Sequence, residues 1–153
     1  MTPSSTGETC MLARSDWTLL AIAAAGREGL SPVQLQKTLF LLGKRLPAAV
    51  GGDWYDFKPY HYGPFDRDVY VDAERLAKKD EVEVVQRHGE SWNRYALTRD
   101  GEIRTSYLER EKPEAFEYLN RLVEWVQQQT FQGLVSAVYA EYPEMRANSV
   151  FQG

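Results

Sequence analysis

Apolar positions along the chain change period several times, and each change marks an element. From Trp17 to Ala25 the chain is almost continuously apolar, which predicts a helix buried on most of its surface. Ser15 or Asp16 is suited to cap its start, and Gly26 or Gly29 its end. Ser31, Pro32 and Gln34 open a second helix with a cap, a first-turn proline and a capping-box partner. Leu35, Leu39, Leu42 and Leu46 then recur at helical spacing, while Gln36, Lys37, Lys44 and Arg45 fall largely off that stripe. Pro47 closes the helix.

The stretch 47–65 has no helical period. Val50-Gly51-Gly52-Asp53 is a turn signal. Tyr55, Phe57, Pro59 and His61 alternate with Asp56, Lys58, Tyr60 and Tyr62, and Gly63-Pro64 ends the stretch. It reads as a long aromatic loop. A third helix follows, capped by Asp66 and running to about Lys79, with Val69, Ala73 and Leu76 inward and Phe65 at its entry. Val82 to Arg87 and Trp92 to Leu97 read as a β-hairpin around His88-Gly89-Glu90-Ser91. Thr98-Arg99-Asp100-Gly101 leads into a helix through Leu108. Another starts at Pro113 and reaches about Gln129, burying Phe116, Leu119, Leu122, Val123 and Val126. The last spans about Phe131 to Glu141 and stops before Pro143.

These elements predict an α+β, mainly helical fold. Three helices followed by a hairpin give a modified winged-helix core, in which the hairpin covers the open side of the helices. A long aromatic insertion separates helices 2 and 3, and C-terminal helices extend the core. A helix-turn-helix joins its second and third helices by 3–4 residues; here the connection is 47–65, so a groove-reading arrangement is not expected. Residues 1–14 are rich in Ser, Thr, Gly and Pro and are expected to be a flexible tail. Residues 15–153 read as a single domain with a C-terminal helical extension, because no linker or repeat divides them.

Composition narrows the function classes. A net charge of −4 argues against a general nucleic-acid sleeve but allows a local basic face. Cys10 is the single cysteine, so no intrachain disulfide forms and a reducing, cytoplasmic setting is expected. Arg14 before the first apolar run imitates an export signal, but Asp16 abuts that run and the run is short. No run reaches the length needed to cross a bilayer.

Catalytic chemistry finds little support. His61 and His88 have no Cys, Ser or second His at a triad or zinc spacing. No glycine-rich phosphate loop follows a strand. No enzyme activity, cofactor or metal is expected, and His61 reads as a hydrogen-bonding structural residue.

The segment Leu35-Gln36-Lys37-Thr38-Leu39-Phe40-Leu41-Leu42, then Tyr55-Asp56-Phe57-Lys58-Pro59-Tyr60-His61-Tyr62-Gly63-Pro64-Phe65, then Val69-Tyr70 resembles the Panacea (SocA-like) antitoxin domain and its phage-associated relatives. The likeness covers about residues 16–100. The tail Val138-Tyr139-Ala140-Glu141-Tyr142-Pro143 with Asn148-Ser149 looks like that of uncharacterised relatives. The resemblance implies a non-catalytic protein that recognises a protein partner, often a toxin, without identifying that partner.

The residues support the same expectation. Most rings between 54 and 65 are expected to hold the stretch down, and the remainder to dock a partner, since Tyr and Trp bring large area with few rotamers to freeze. The predicted docking residues are Trp54, Tyr55, Tyr60, His61, Tyr62 and Phe65, with Arg67 and Asp68 as the charged rim; Trp54, Tyr60 and Tyr62 are expected to be the exposed ones. The competing reading is a DNA-binding regulator contacting phosphates through Lys37, Lys44, Arg87 and Arg94. The third helix opposes it, because Asp66, Asp68, Asp72, Glu74 and Asp80 are interspersed with its Arg and Lys residues. A patch around Trp125 and Tyr139 is the candidate homodimer seam.

Overall fold

A computed structural model of the chain describes residues 12–86 and 88–150. Cys10, Arg87 and most of the expected tail lie outside the described residues. The end of that tail is structured: Leu12 is buried and Ala13 precedes the first helical residue.

Among the described residues the fold is mainly helical with two small antiparallel hairpins. Helix α1 (Arg14–Ala24) is central. Trp17, Leu19, Leu20, Ala21 and Ile22 are wholly buried, as its unbroken apolar run requires. Helix α2 (Pro32–Arg45) opens on the expected capping box: the Gln34 amide donates to the Ser31 hydroxyl at 3.2 Å, and the Ser31 amide donates to Gln34 Oε1 at 2.9 Å. Such a cap is worth about 1 kcal/mol. Pro47 ends α2 but also starts a single helical turn, α3 (Pro47–Val50).

The aromatic stretch is ordered as a hairpin, where the sequence suggested only a loop. Strands β1 (Lys58–Tyr60) and β2 (Gly63–Phe65) pair antiparallel, with Tyr60 opposite Gly63 around the turn His61-Tyr62. Helix α4 (Arg67–Lys78) follows, capped by Asp66, and buries Val69, Ala73 and Leu76 as expected. Strands β3 (Val82–Gln86) and β4 (Asn93–Leu97) form the second hairpin. Leu30 and Tyr95 exchange backbone hydrogen bonds of 3.0 and 2.9 Å, tying this hairpin to the α1–α2 connection.

Helices α5 (Arg99–Glu111), α6 (Pro113–Gln128) and α7 (Phe131–Glu141) complete the fold, and a 3-10 turn spans Pro143–Arg146. Leu119, Leu122, Val123 and Val126 from α6 join Leu134, Val135, Val138 and Tyr139 from α7 in the core formed by α1 and α2. Tyr139 is only 2% exposed and Trp125 is half-buried. The expected seam around them is therefore largely spent on core packing. No helix among the described residues is long and apolar enough to cross a membrane.

Candidate functional site

Helix α2 positions the β1–β2 hairpin through two polar side chains that the stripe pattern placed on its outer face. Gln36 and Lys37 are 1% and 3% exposed. The Gln36 carboxamide pairs with the backbone of Asp66 in both directions, each bond 3.0 Å. Lys37 Nζ donates to the Pro64 carbonyl at 3.3 Å. Burial lowers the Lys37 pKa to about 8. Lys37 thus lies under the hairpin and is unavailable to a phosphate, which corrects its expected place among nucleic-acid contacts. The stripe pattern failed because Leu35 through Leu42 are all buried: the helix is covered on every side.

The beginning of the aromatic stretch is held in the core. The Tyr55 hydroxyl donates to Asp72 Oδ2 at 2.6 Å and lies 2.6 Å from the Thr18 hydroxyl. Arg14 donates to the same carboxylate at 2.9 Å, and its guanidinium stacks 4.4 Å from the Tyr55 ring centre. Burial and the Asp72 carboxylate raise the Tyr55 pKa far above its ordinary value. Tyr55 is 6% exposed and belongs to this network, so it is removed from the expected docking set. Trp54 is also misplaced by the sequence reading. It is half-buried, and its Nε1 is buried without a hydrogen-bond partner. It lies so close to Gly43 that a Cβ there would approach Nε1 to 2.2 Å. Phe57 is likewise packed inward, edge-on to Phe40 at 5.5 Å.

The tip behaves differently. Tyr60 and Tyr62 are 50% and 44% exposed, and His61 between them is exposed. The Tyr60 and His61 rings stack at 4.3 Å with 9° between their planes. Phe65, half-buried, supports Tyr60 from below at 5.2 Å and meets Tyr70 edge-on. Gly63 makes the turn affordable to the backbone: its φ of +104° is one that L side chains rarely adopt. Arg67 and Asp68 are exposed beside the hairpin, Asp68 3.8 Å from Arg14.

Two further residues extend this face. Tyr62 meets Phe131 edge-on at 5.3 Å. Phe131 also lines a groove of about 500 Å³ between the start of α2, the α6–α7 junction and the β3–β4 turn, and Trp92 is part of the same lining. Phe131 and Trp92 are 45% and 47% exposed. The sequence reading assigned Phe131 only to a helix start and Trp92 only to a strand. Their signal was positional, since each is a large ring beside a turn or a cap.

Of the remaining expected phosphate contacts among the described residues, only Arg94 is engaged in an ion pair. Lys44 is exposed, with its ammonium 5.7 and 5.8 Å from the Phe40 and Tyr142 ring centres. Arg94 makes a two-pronged pair with Glu90, both bonds 3.0 Å. Arg87 lies outside the described residues. Among the described residues no group of three or more His, Cys, Asp or Glu is placed to hold a metal ion. In comparisons with known proteins, no protein-family model matches this chain and no curated protein matches it.

Proposed function

We propose that this chain is a non-catalytic protein-binding module, whose docking face is the β1–β2 tip continued by Phe131 and the groove to Trp92. The observation that carries this reading is the contrast within one short stretch. Tyr55 and Phe57 are anchored in the interior, while Tyr60, His61 and Tyr62 are presented on a hairpin clamped by α2. Rings held in fixed positions bind with little further loss of rotamer freedom, which is what interface anchors need. Arg67 and Asp68 would set the charge pattern of the rim.

The resemblance to the Panacea (SocA-like) antitoxin domain supports a role as an antitoxin or accessory protein acting on a protein partner, with a toxin as the expected kind. The residues that carry it include Lys37 and Pro64, which are hydrogen-bonded to each other, and Gln36, which reaches Asp66 just beyond the Gly63-Pro64 motif. The Leu30–Tyr95 bridge supports reading α1, α2, α4 and the β3–β4 hairpin as a modified winged-helix core. The DNA-binding alternative loses Lys37 to the interior and Arg94 to an ion pair.

Affinity capture from the native host tests this. The expected result is a protein retained by wild type and lost by Tyr60→Ala/Tyr62→Ala, with the melting temperature unchanged. Retention should persist in high salt, because aromatic burial is screened little. Recovery of nucleic acid whose binding falls steeply with salt would overturn the reading.

A further inference from the structure

The β1–β2 hairpin is too short to hold itself in place. Two-stranded hairpins are marginal in water even when longer. This one has only three residue pairs, with Pro59 opposite Pro64 at the pair that exchanges no ladder hydrogen bonds. Its position depends on grips from outside, and the hydrogen bonds among them divide by strand. Helix α2 grips the inner strand and its exit, through Lys37 to the Pro64 carbonyl and Gln36 to the Asp66 backbone. The outer strand and the tip are gripped by a different segment. Asn148 Nδ2 donates to the Pro59 carbonyl at 3.2 Å, Ser149 Oγ to the His61 carbonyl at 3.2 Å, and the Val150 amide to the same carbonyl at 3.0 Å.

That segment is fixed at its other end. Met145 is buried in the core, and the Arg146 guanidinium stacks 4.6 Å from the Tyr139 ring centre. Beyond this anchor the chain runs along the surface: Asn148 is exposed and Val150 is 56% exposed. It reaches the hairpin through hydrogen bonds to the Pro59 and His61 carbonyls, made by residues that bury no large side chain. Such contacts are individually modest and can open without unfolding the core.

We propose that residues 147–150 form a strap that sets the position of the exposed rings, holding the outer strand and tip of the hairpin while α2 holds the inner strand. Pulling the strap away leaves the Pro59 and His61 carbonyls without these donors and loosens Tyr60, His61 and Tyr62. The far end of the chain is thereby coupled to how the rings are presented. The inference concerns the ordering of the hairpin and stands whether or not a protein docks there.

Hydrogen exchange on two variants tests it: a chain ending at Ala147, and the full-length Asn148→Ala/Ser149→Ala variant. In the truncated chain the amides of Lys58, Tyr60, His61 and Tyr62 should exchange on the order of tenfold faster than in wild type. The Asp66 amide, held by Gln36 Oε1, should keep its wild-type rate. The double variant retains the Val150 bond and should show a smaller change in the same residues. Should truncation unfold the chain, the double variant carries the test alone. Unchanged exchange at Lys58, Tyr60, His61 and Tyr62 in the folded variants would overturn the proposal. So would an equal acceleration at Asp66, which would mean the two strands are not held separately.

Discussion

Asp72 shows how one buried charge can organise an aromatic segment. Its carboxylate receives Arg14 and the Tyr55 hydroxyl while being only 3% exposed. Replacing it by Ala strands a guanidinium and a phenol, and the Asp72→Ala variant should lose about 3 kcal/mol in denaturant unfolding. Lys37 offers a test with a definite sign. Folding lowers its pKa from 10.5 to about 8. Below pH 8 both folded and unfolded chains carry the proton, and the folded state bears the full cost of the buried charge. As pH rises from about 8 to 10.5 the folded chain has released a proton that the unfolded chain still holds, so stability increases. The buried tyrosines, raised in the fold, act in the opposite sense only near pH 10 and above. Between about pH 7.5 and 9.5 wild type should therefore gain about 2 kcal/mol over the Lys37→Met variant. Parallel stability profiles for the two proteins would exclude this. Neither Asp72 nor Lys37 was legible as buried in the sequence, because stripe reasoning assigns charged residues outward. The contacts that keep them inside come from residues far along the chain.

At the scale of elements, the sequence was most informative where a local rule decides the outcome. The Ser31 capping box, the Asp66 cap and the Phe131–Glu141 helix all follow from residues within one turn of each other. The β1–β2 hairpin was missed because its alternation is interrupted by Pro59 and Pro64, and its grips come from α2 and the C-terminal segment. Within it, Gly63 is the position that local geometry makes irreplaceable. The Gly63→Ala variant meets no atom closer than 3.5 Å, so space is not the obstacle. The positive φ is, and its strain should cost about 1–3 kcal/mol. Thermal unfolding measures the loss, and shifted amide resonances confined to residues near the tip would show that the turn is its source.

Across the whole molecule, the mainly helical α+β class followed from the order of periods, but the surface did not. Burial divides the aromatic residues of 54–65 into an anchored set and a presented set. It also adds Phe131 and Trp92, which come from remote parts of the chain. Site-directed photo-crosslinking in the native host tests the docking reading most directly. A photoreactive phenylalanine replaces Tyr62 in one variant and Tyr107, an exposed ring of α5, in another. The account predicts a discrete protein adduct from position 62 and none from position 107. Adducts equal at the two positions, or nucleic acid captured from position 62, would contradict it.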